Sequence, residues 1–500
     1  MELDNYLRSV AETLRGVDSL SDTPSVLLQI AESSKQPFNV AVVGRMKTGK
    51  STLINALIGK VLAISDVEEA TATLNWICVG RGDQTKTFEV HWRDGKVDTY
   101  ALDDLTKWSG KSDDVLDRIK LTAHLRMFSD SKYLESMQII DTPGTGSAVN
   151  EHEIAGDFLN PRAIEESIEA GGKADAIIYV FPATARESDE ETLEIFASGR
   201  LPNSGARDSV AVLHKWDSLS VDDPRKRAYE KASRLMDNLS GKVAAVIPVS
   251  APLALAARSA PEDFFTSLIT TLLQSRQDIE RALQVPERWS RDTARKAILD
   301  QHPMPWASFR LLVRSLQRDS ITDSKAAREC CLRESGIETL ESFLAKEFFT
   351  KKDIIKQSRL LKRAAIHIEP ALRMLDLNSR QIGSSQLQNT AIELDREWQS
   401  CLDRGILLDM DLTVAEMIKE NPEMIPEDHR AIILESCNYL AKDMQARKSL
   451  GRSKLPSIRE IEDLISYYNA NENFARKQER KIFSHIVVRL QEIHSILSEG

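Results

Sequence analysis

The sequence predicts two structural classes in one chain: an α/β domain with a mostly parallel sheet wrapped by helices, then an all-α helical bundle or stalk. Three observations carry this. From Phe38 onward, short β-branched runs such as Val40 to Val43 alternate with helical stretches, the pattern of strands joined by crossover helices. Strand signals stop near residue 275. Beyond that point apolar residues recur at helical spacing, as in Ile337, Leu340 and Leu344 and in Ile482, Ile486, Leu490, Ile493 and Leu497.

Taken in order, Leu3, Tyr6, Leu7, Val10, Leu14 and Val17 share one face of an N-terminal helix that needs a partner elsewhere. Strands are expected at residues 38–43, 119–128, 137–141, 174–181, 209–215 and 244–249. Two alternating runs between Thr87 and Tyr100 flank Asp94-Gly95, a hairpin signal that places an antiparallel ribbon at one edge of the sheet. The later helices are amphipathic, so their stripes pack on each other. The expected divisions are residues 1–35 (a helix docking on the helical region), 36–275 (the α/β domain) and 276–500 (the helical part). Arg447, Lys448, Arg452 and Lys454 surround Gly451 to Pro456 as a basic interhelical loop, and Arg476 to Lys481 form a second basic cluster.

Bulk properties narrow the function classes. Five hundred residues exceed one ordinary core, and a formal net charge of -10 argues against a protein that coats nucleic acid. The start lacks the basic-then-apolar order of a secretory leader. No apolar run reaches the ~20 residues that span a bilayer as a helix. Cys78, Cys330, Cys331, Cys401 and Cys437 are odd in number, scattered and without a CxxC pair, so small buried side chains in a reducing cytoplasm fit best.

Gly44-Arg45-Met46-Lys47-Thr48-Gly49-Lys50-Ser51 matches GxxxxGK[ST] in full. It follows a β-branched strand and precedes the helix-like run from Thr52 to Ile58. The glycines let successive N–H groups turn inward at phosphates, aided by the positive end of the helix. Lys50 then bridges the β- and γ-phosphates and the Ser51 hydroxyl ligates Mg²⁺. Because Lys50 reads as a solvent-facing loop side chain, its loss is expected to abolish nucleotide binding and spare the fold. These features make the first domain a P-loop nucleotide hydrolase.

Ile139-Ile140 lead into Asp141-Thr142-Pro143-Gly144, a DxxG element. Asp141 holds magnesium through water and the Gly144 N–H senses the γ-phosphate. At the end of a later strand, His214-Lys215-Trp216-Asp217 matches [NT]KxD except at its first position. Asp217 accepts from two donors on guanine that adenine does not offer, and the Lys215 stem lies against the ring. This selects GTP over ATP. His214 replaces the usual Asn or Thr, which leaves its tie to the phosphate loop in doubt. Ser250-Ala251 supplies the last guanine-contacting loop.

A switch threonine is expected between Lys50 and Asp141, with Thr71 and Thr73 as candidates. No glutamine follows Gly144 in the place where it would position water. Lys47 either lends charge to the transition state or is simply solvated, and Arg45 is a second candidate.

Assembled, these residues resemble the dynamin superfamily, in particular bacterial dynamin-like proteins. GRMKTGKSTLINALIG at Gly44 to Gly59, Glu69 to Gly80, DTPGTGS at Asp141 to Ser147 and VIPVSA at Val246 to Ala251 carry the resemblance. Ser335-Gly336-Ile337 through Leu344 is similar to the start of the family's helical region. The resemblance implies Thr71 as the switch threonine and a charge-supplying role for Lys47. It also implies GTPase domains paired face to face, assembly-stimulated hydrolysis and membrane remodelling.

The expected protein is thus a Mg²⁺-dependent GTPase, cytoplasmic, self-assembling and peripheral at an anionic membrane that the two basic clusters would meet. The rival reading is a regulatory GTP switch that binds a protein or ribosomal partner without remodelling membranes.

Overall fold

A computed structural model gives the architecture. It describes residues 3–15, 22–44, 47–62, 74–108, 112–142, 174–183, 208–219, 223–239, 242–349, 351–420, 422–433, 456–472, 475 and 477–498. The chain separates into two compact units, one of residues 37–351 and the other joining residues 1–36 to 352–500.

The larger unit is built on a nine-stranded sheet of order β4-β3-β5-β2-β6-β1-β7-β8-β9. Its parallel block comprises β6 (Met137–Asp141), β1 (Phe38–Val43), β7 (Ala176–Pro182), β8 (Ser209–His214) and β9 (Val246–Val249). All six residues of β1 are buried. That is why the strand reads as an almost continuous apolar run, interrupted only by Asn39: helices cover both faces of a parallel sheet. On the far side of β6 lie β2 (Asn75–Val79), β5 (Thr122–Ser129) and the ribbon of β3 (Thr87–Trp92) with β4 (Val97–Ala101). The ribbon turns at Asp94-Gly95, as its sequence predicts, with Gly95 at φ 89°. Its outer strand is mostly exposed and short, with Asp98 and Thr99 in its middle, which suits an open sheet edge.

Two local readings need correction. Residues 119–121 are the last turn of helix α4 (Asp113–Leu121) rather than the start of β5. Asp113 and Asp114 in its first turn and Arg118 and Lys120 in its last complement the helix dipole. The strand β2 was not anticipated, and it lies in the run from Glu69 to Gly80 that otherwise reads as a nucleotide switch.

The boundary expected at residue 275 falls instead at 351. The end of strand signal marks a change of layer, not of domain. Helices α6 (Ala251–Ser259), α7 (Glu262–Leu272), α8 (Arg276–Ala282), α9 (Pro286–Trp289), α10 (Thr293–Gln301), α11 (Trp306–Arg318) and α12 (Ser324–Ser335) share one apolar cluster. Phe264, Phe265, Leu268, Trp289, Ile298, Phe309, Leu312 and Leu316 are all buried in it. Cutting at 275 would expose that interior to water.

In the smaller unit, α1 (Leu3–Leu14) and α2 (Thr23–Ser33) pack on α14 (Lys352–Ile382) and α15 (Ser385–Glu420). Tyr6 stacks on Trp398 at 5.9 Å and its hydroxyl donates to the Leu394 carbonyl at 3.0 Å. A second cluster joins α15 to α16 (Ile458–Glu472) and α17 (Lys477–Ser498) through Val414, Ile461, Leu464, Ile486, Leu490 and Ile493. Among the described residues no helix is long and apolar enough to cross a membrane.

Candidate functional site

The site lies at the C-terminal ends of β1, β6, β8 and β9, where open α/β sheets take their ligands. After β1, Gly44 approaches β7 so closely that a methyl group there would lie 2.6 Å from the Val180 carbonyl oxygen. Lys47 and Gly49 have φ of 60° and 96°. The chain then enters α3 (Lys50–Ile58), whose amino end has no side-chain cap and is left for a ligand. The other end of α3 is closed by Gly59 and by Arg258, whose guanidinium donates to the Ala56 and Leu57 carbonyls and pairs with Glu341.

Lys50 is buried rather than solvent-facing, being 5% exposed, and its ammonium donates to the Gly44 carbonyl at 3.2 Å. Burial lowers its pKa, against the pull of the Asp141 carboxylate. Ser51 Oγ donates to Asp141 Oδ2 at 3.1 Å. Asp141 is fully buried, and its other oxygen, Oδ1, has no hydrogen-bond partner among the described residues. Burial pushes this carboxyl up to about 6, with Lys50 and Ser51 acting the other way. A buried, half-satisfied carboxylate beside a hydroxyl is a donor set suited to a hard divalent cation.

β8 ends at His214, one residue earlier than the sequence predicts, because Lys215 turns into the left-handed region at φ 58°. The Lys215 ammonium donates to the Lys47 carbonyl at 2.6 Å, which ties this segment to the phosphate loop. The Lys47 side chain itself is exposed. His214 makes the tie that its departure from Asn or Thr had put in doubt. Its ring lies 2.8 Å from the Thr48 carbonyl through Nδ1, and Nε2 accepts from the Ala251 N–H at 3.2 Å. Accepting at Nε2 requires the neutral tautomer with its proton on Nδ1, which then donates to Thr48. Burial lowers the ring's pKa to about 4, with the neighbouring Asp217 opposing it. A methyl group on Gly49 would run into this imidazole.

Asp217 Oδ2 accepts from the Ser250 hydroxyl at 2.7 Å and from the Ser308 hydroxyl. Ser250 and Ala251 form the turn from β9 into α6. The Ser250 N–H donates to the Ser335 carbonyl at 2.8 Å. Gly336, at φ 72°, leads from α12 into α13 (Ile337–Phe343), and a side chain there would meet the Pro248 carbonyl. Sequence reasoning missed Ser308, and no local pattern marks a serine on an amphipathic helix.

The fold therefore brings together Gly44, Lys47, Thr48, Gly49, Lys50, Ser51, Asp141, Lys215, Asp217, Ser250 and Ala251, with Thr52 in the first turn of α3. Arg45, Met46, Thr71, Thr73 and Gly144 lie outside the described residues, as do Arg447 to Lys454 and Arg476.

Comparison with known proteins adds independent findings. Residues 40–215 match the model of the dynamin family. Over 369 residues the chain is 27% identical to the isoniazid-induced protein IniC of Mycobacterium tuberculosis, covering 70% of this chain and 71% of that protein. It is 29% identical over 180 residues to a bacterial dynamin-like protein of Nostoc punctiforme, covering 32% of this chain and 26% of that protein. A solved oligomerised bacterial dynamin pair, described as sensing and tethering membranes, aligns with 100% of this chain and 91% of its own at 12% identity, with a TM-score of 0.37.

Proposed function

Given that residues 40–215 make this chain a GTPase of the dynamin superfamily, we propose that it hydrolyses Mg²⁺-bound GTP in a cycle coupled to self-association, peripheral to an anionic membrane. The observation that carries the nucleotide chemistry is the meeting of Lys50, Ser51 and Asp141 with Lys215 and Asp217 at the C-terminal ends of the parallel strands. Lys50 exchanges its bond to the Gly44 carbonyl for the β- and γ-phosphates. That exchange restores solvation to a desolvated ammonium. Ser51 and Asp141 would hold Mg²⁺, which when bound neutralises charge on the phosphate oxygens. The orphaned Asp141 Oδ1 supports this assignment.

Asp217 reads the two donors of the guanine edge, while the Lys215 stem covers the base. Thr71 and Gly144 take the switch roles that the dynamin resemblance implies. The exposed Lys47 side chain stands on the phosphate loop as the candidate catalytic cation. Family membership supports self-association. Exposed Arg480 and Lys481 on α17 support contact with anionic lipid.

The test is steady-state GTP hydrolysis with magnesium over a range of protein concentrations, with ATP as control and Lys50→Ala as blank. Specific activity rising with concentration supports assembly-coupled catalysis, whereas a flat, slow rate favours a switch awaiting a foreign partner. Sedimentation with anionic vesicles, with and without nucleotide, tests the membrane.

A further inference from the structure

We propose that Ser308 is a positioning residue for guanine recognition, so that a helix beyond the sheet completes the base site. The inference rests on the reading of Asp217 as the base-recognising carboxylate and deepens it. Ser308 is the third residue of α11 and is 1% exposed. Its hydroxyl donates to Asp217 Oδ2, the same oxygen that accepts from Ser250. Ninety-one residues separate Ser308 from Asp217 in sequence.

The hydroxyl is presented rigidly. Phe309, Leu312, Val313 and Leu316 of α11 are fully buried, and Phe309 packs edge-on against Trp289 at 5.0 Å. The second donor is equally constrained, because the Ser250 N–H is held by the Ser335 carbonyl at 2.8 Å. The segment that follows the sheet thus grips the base-recognition elements twice, from α11 and from the junction of α12 with α13.

Guanine offers N1–H and its 2-amino group side by side, so its partner carboxylate must hold both oxygens in the plane of the base. Two hydroxyls converging on Oδ2 fix the rotation of that carboxylate before nucleotide arrives. Neither of them draws on Oδ1. A carboxylate ordered in advance loses less freedom on binding, so the gain appears as affinity and as discrimination at the 2-amino position. GDP and GTP present the same base and benefit equally.

The experiment compares GDP, IDP and ADP binding to the full chain by calorimetry. IDP lacks the 2-amino group, so the GDP-to-IDP ratio reads the carboxylate directly. Ser308→Ala is expected to weaken GDP about tenfold and to narrow that ratio, with the loss in hydrolysis falling on KM rather than kcat. Ser308→Thr, which keeps the hydroxyl, is expected to recover both. Melting temperatures of the nucleotide-free variants separate misfolding from misorientation. A Ser308→Ala protein with a wild-type GDP-to-IDP ratio overturns the proposal, whatever its melting temperature. A wild-type protein that binds ADP as tightly as GDP instead overturns the guanine reading, leaving the fault with Asp217 rather than with Ser308.

Discussion

His214 Nδ1 lies 2.8 Å from the carbonyl oxygen of Thr48, which makes a buried imidazole the pin between the guanine segment and the phosphate loop. The same ring accepts the Ala251 N–H, so only its neutral form satisfies both neighbours.

Acid should therefore loosen the site. Burial depresses the folded pKa of His214 to about 4 from an ordinary 6.5. Between those values the unfolded chain takes up a proton that the folded chain refuses. The contribution of His214 to stability is full above the ordinary value, erodes as pH falls through this window, and totals roughly 3 kcal/mol when lost. GDP affinity should hold down to about pH 6 and fall below about pH 5. His214→Asn, whose amide donates to the Thr48 carbonyl without titrating, should flatten that acid limb; calorimetry across pH checks both.

Gly49→Ala should abolish nucleotide binding, because a methyl group at φ 96° meets the His214 ring. The strained backbone alone costs about 1–3 kcal/mol. A thermal melt should show the loss of stability, and His214→Ala in the same chain should return part of it.

Lys50→Ala should bind no GTP yet keep its helical circular dichroism. The buried ammonium lies next to the Asp141 carboxyl, itself pushed up to about 6. Removing one desolvated charge beside another that can take a proton should change nucleotide-free stability by less than about 2 kcal/mol near pH 6. Denaturant titration measures this.

Asp217→Asn should exchange guanine for xanthine, because an amide donates where the 2-oxo group of xanthine accepts. A fall of at least about tenfold in GTP preference, matched by a gain for XTP, is the expected result of competition binding. Equal discrimination in both proteins would remove Asp217 from the base site.

Tyr6→Phe should destabilise the smaller unit by about 1 kcal/mol through loss of the bond to the Leu394 carbonyl. The stack on Trp398 survives in the variant. Nucleotide affinity should not move.

Legibility followed the range of the signal. The placement of Gly44, Lys47 to Ser51, Asp141 and Lys215 to Asp217 was readable because each belongs to a short pattern at a strand end, where local spacing dictates position. The parallel strands were readable because burial on both faces leaves an apolar run. The role of His214 was not, since a single departure from a motif does not say what the new ring will touch. Ser308 lacked any local mark for the same reason that α8 to α12 were assigned to the wrong unit: a helix advertises its apolar face and not the surface that receives it. Ile119 to Leu121 misled because β-like residues there close a helix whose charges, not its apolar pattern, declare it.

The hairpin at Asp94-Gly95 has a practical meaning for anyone who wishes to watch this protein at work. Three strands separate β3 from β1, so at a strand spacing of about 4.8 Å the ribbon stands ~19 Å from the strand that feeds the phosphate loop. A fluorophore or a short affinity epitope spliced into that turn would ride on the same sheet without touching the nucleotide, giving a reporter that leaves the reaction undisturbed.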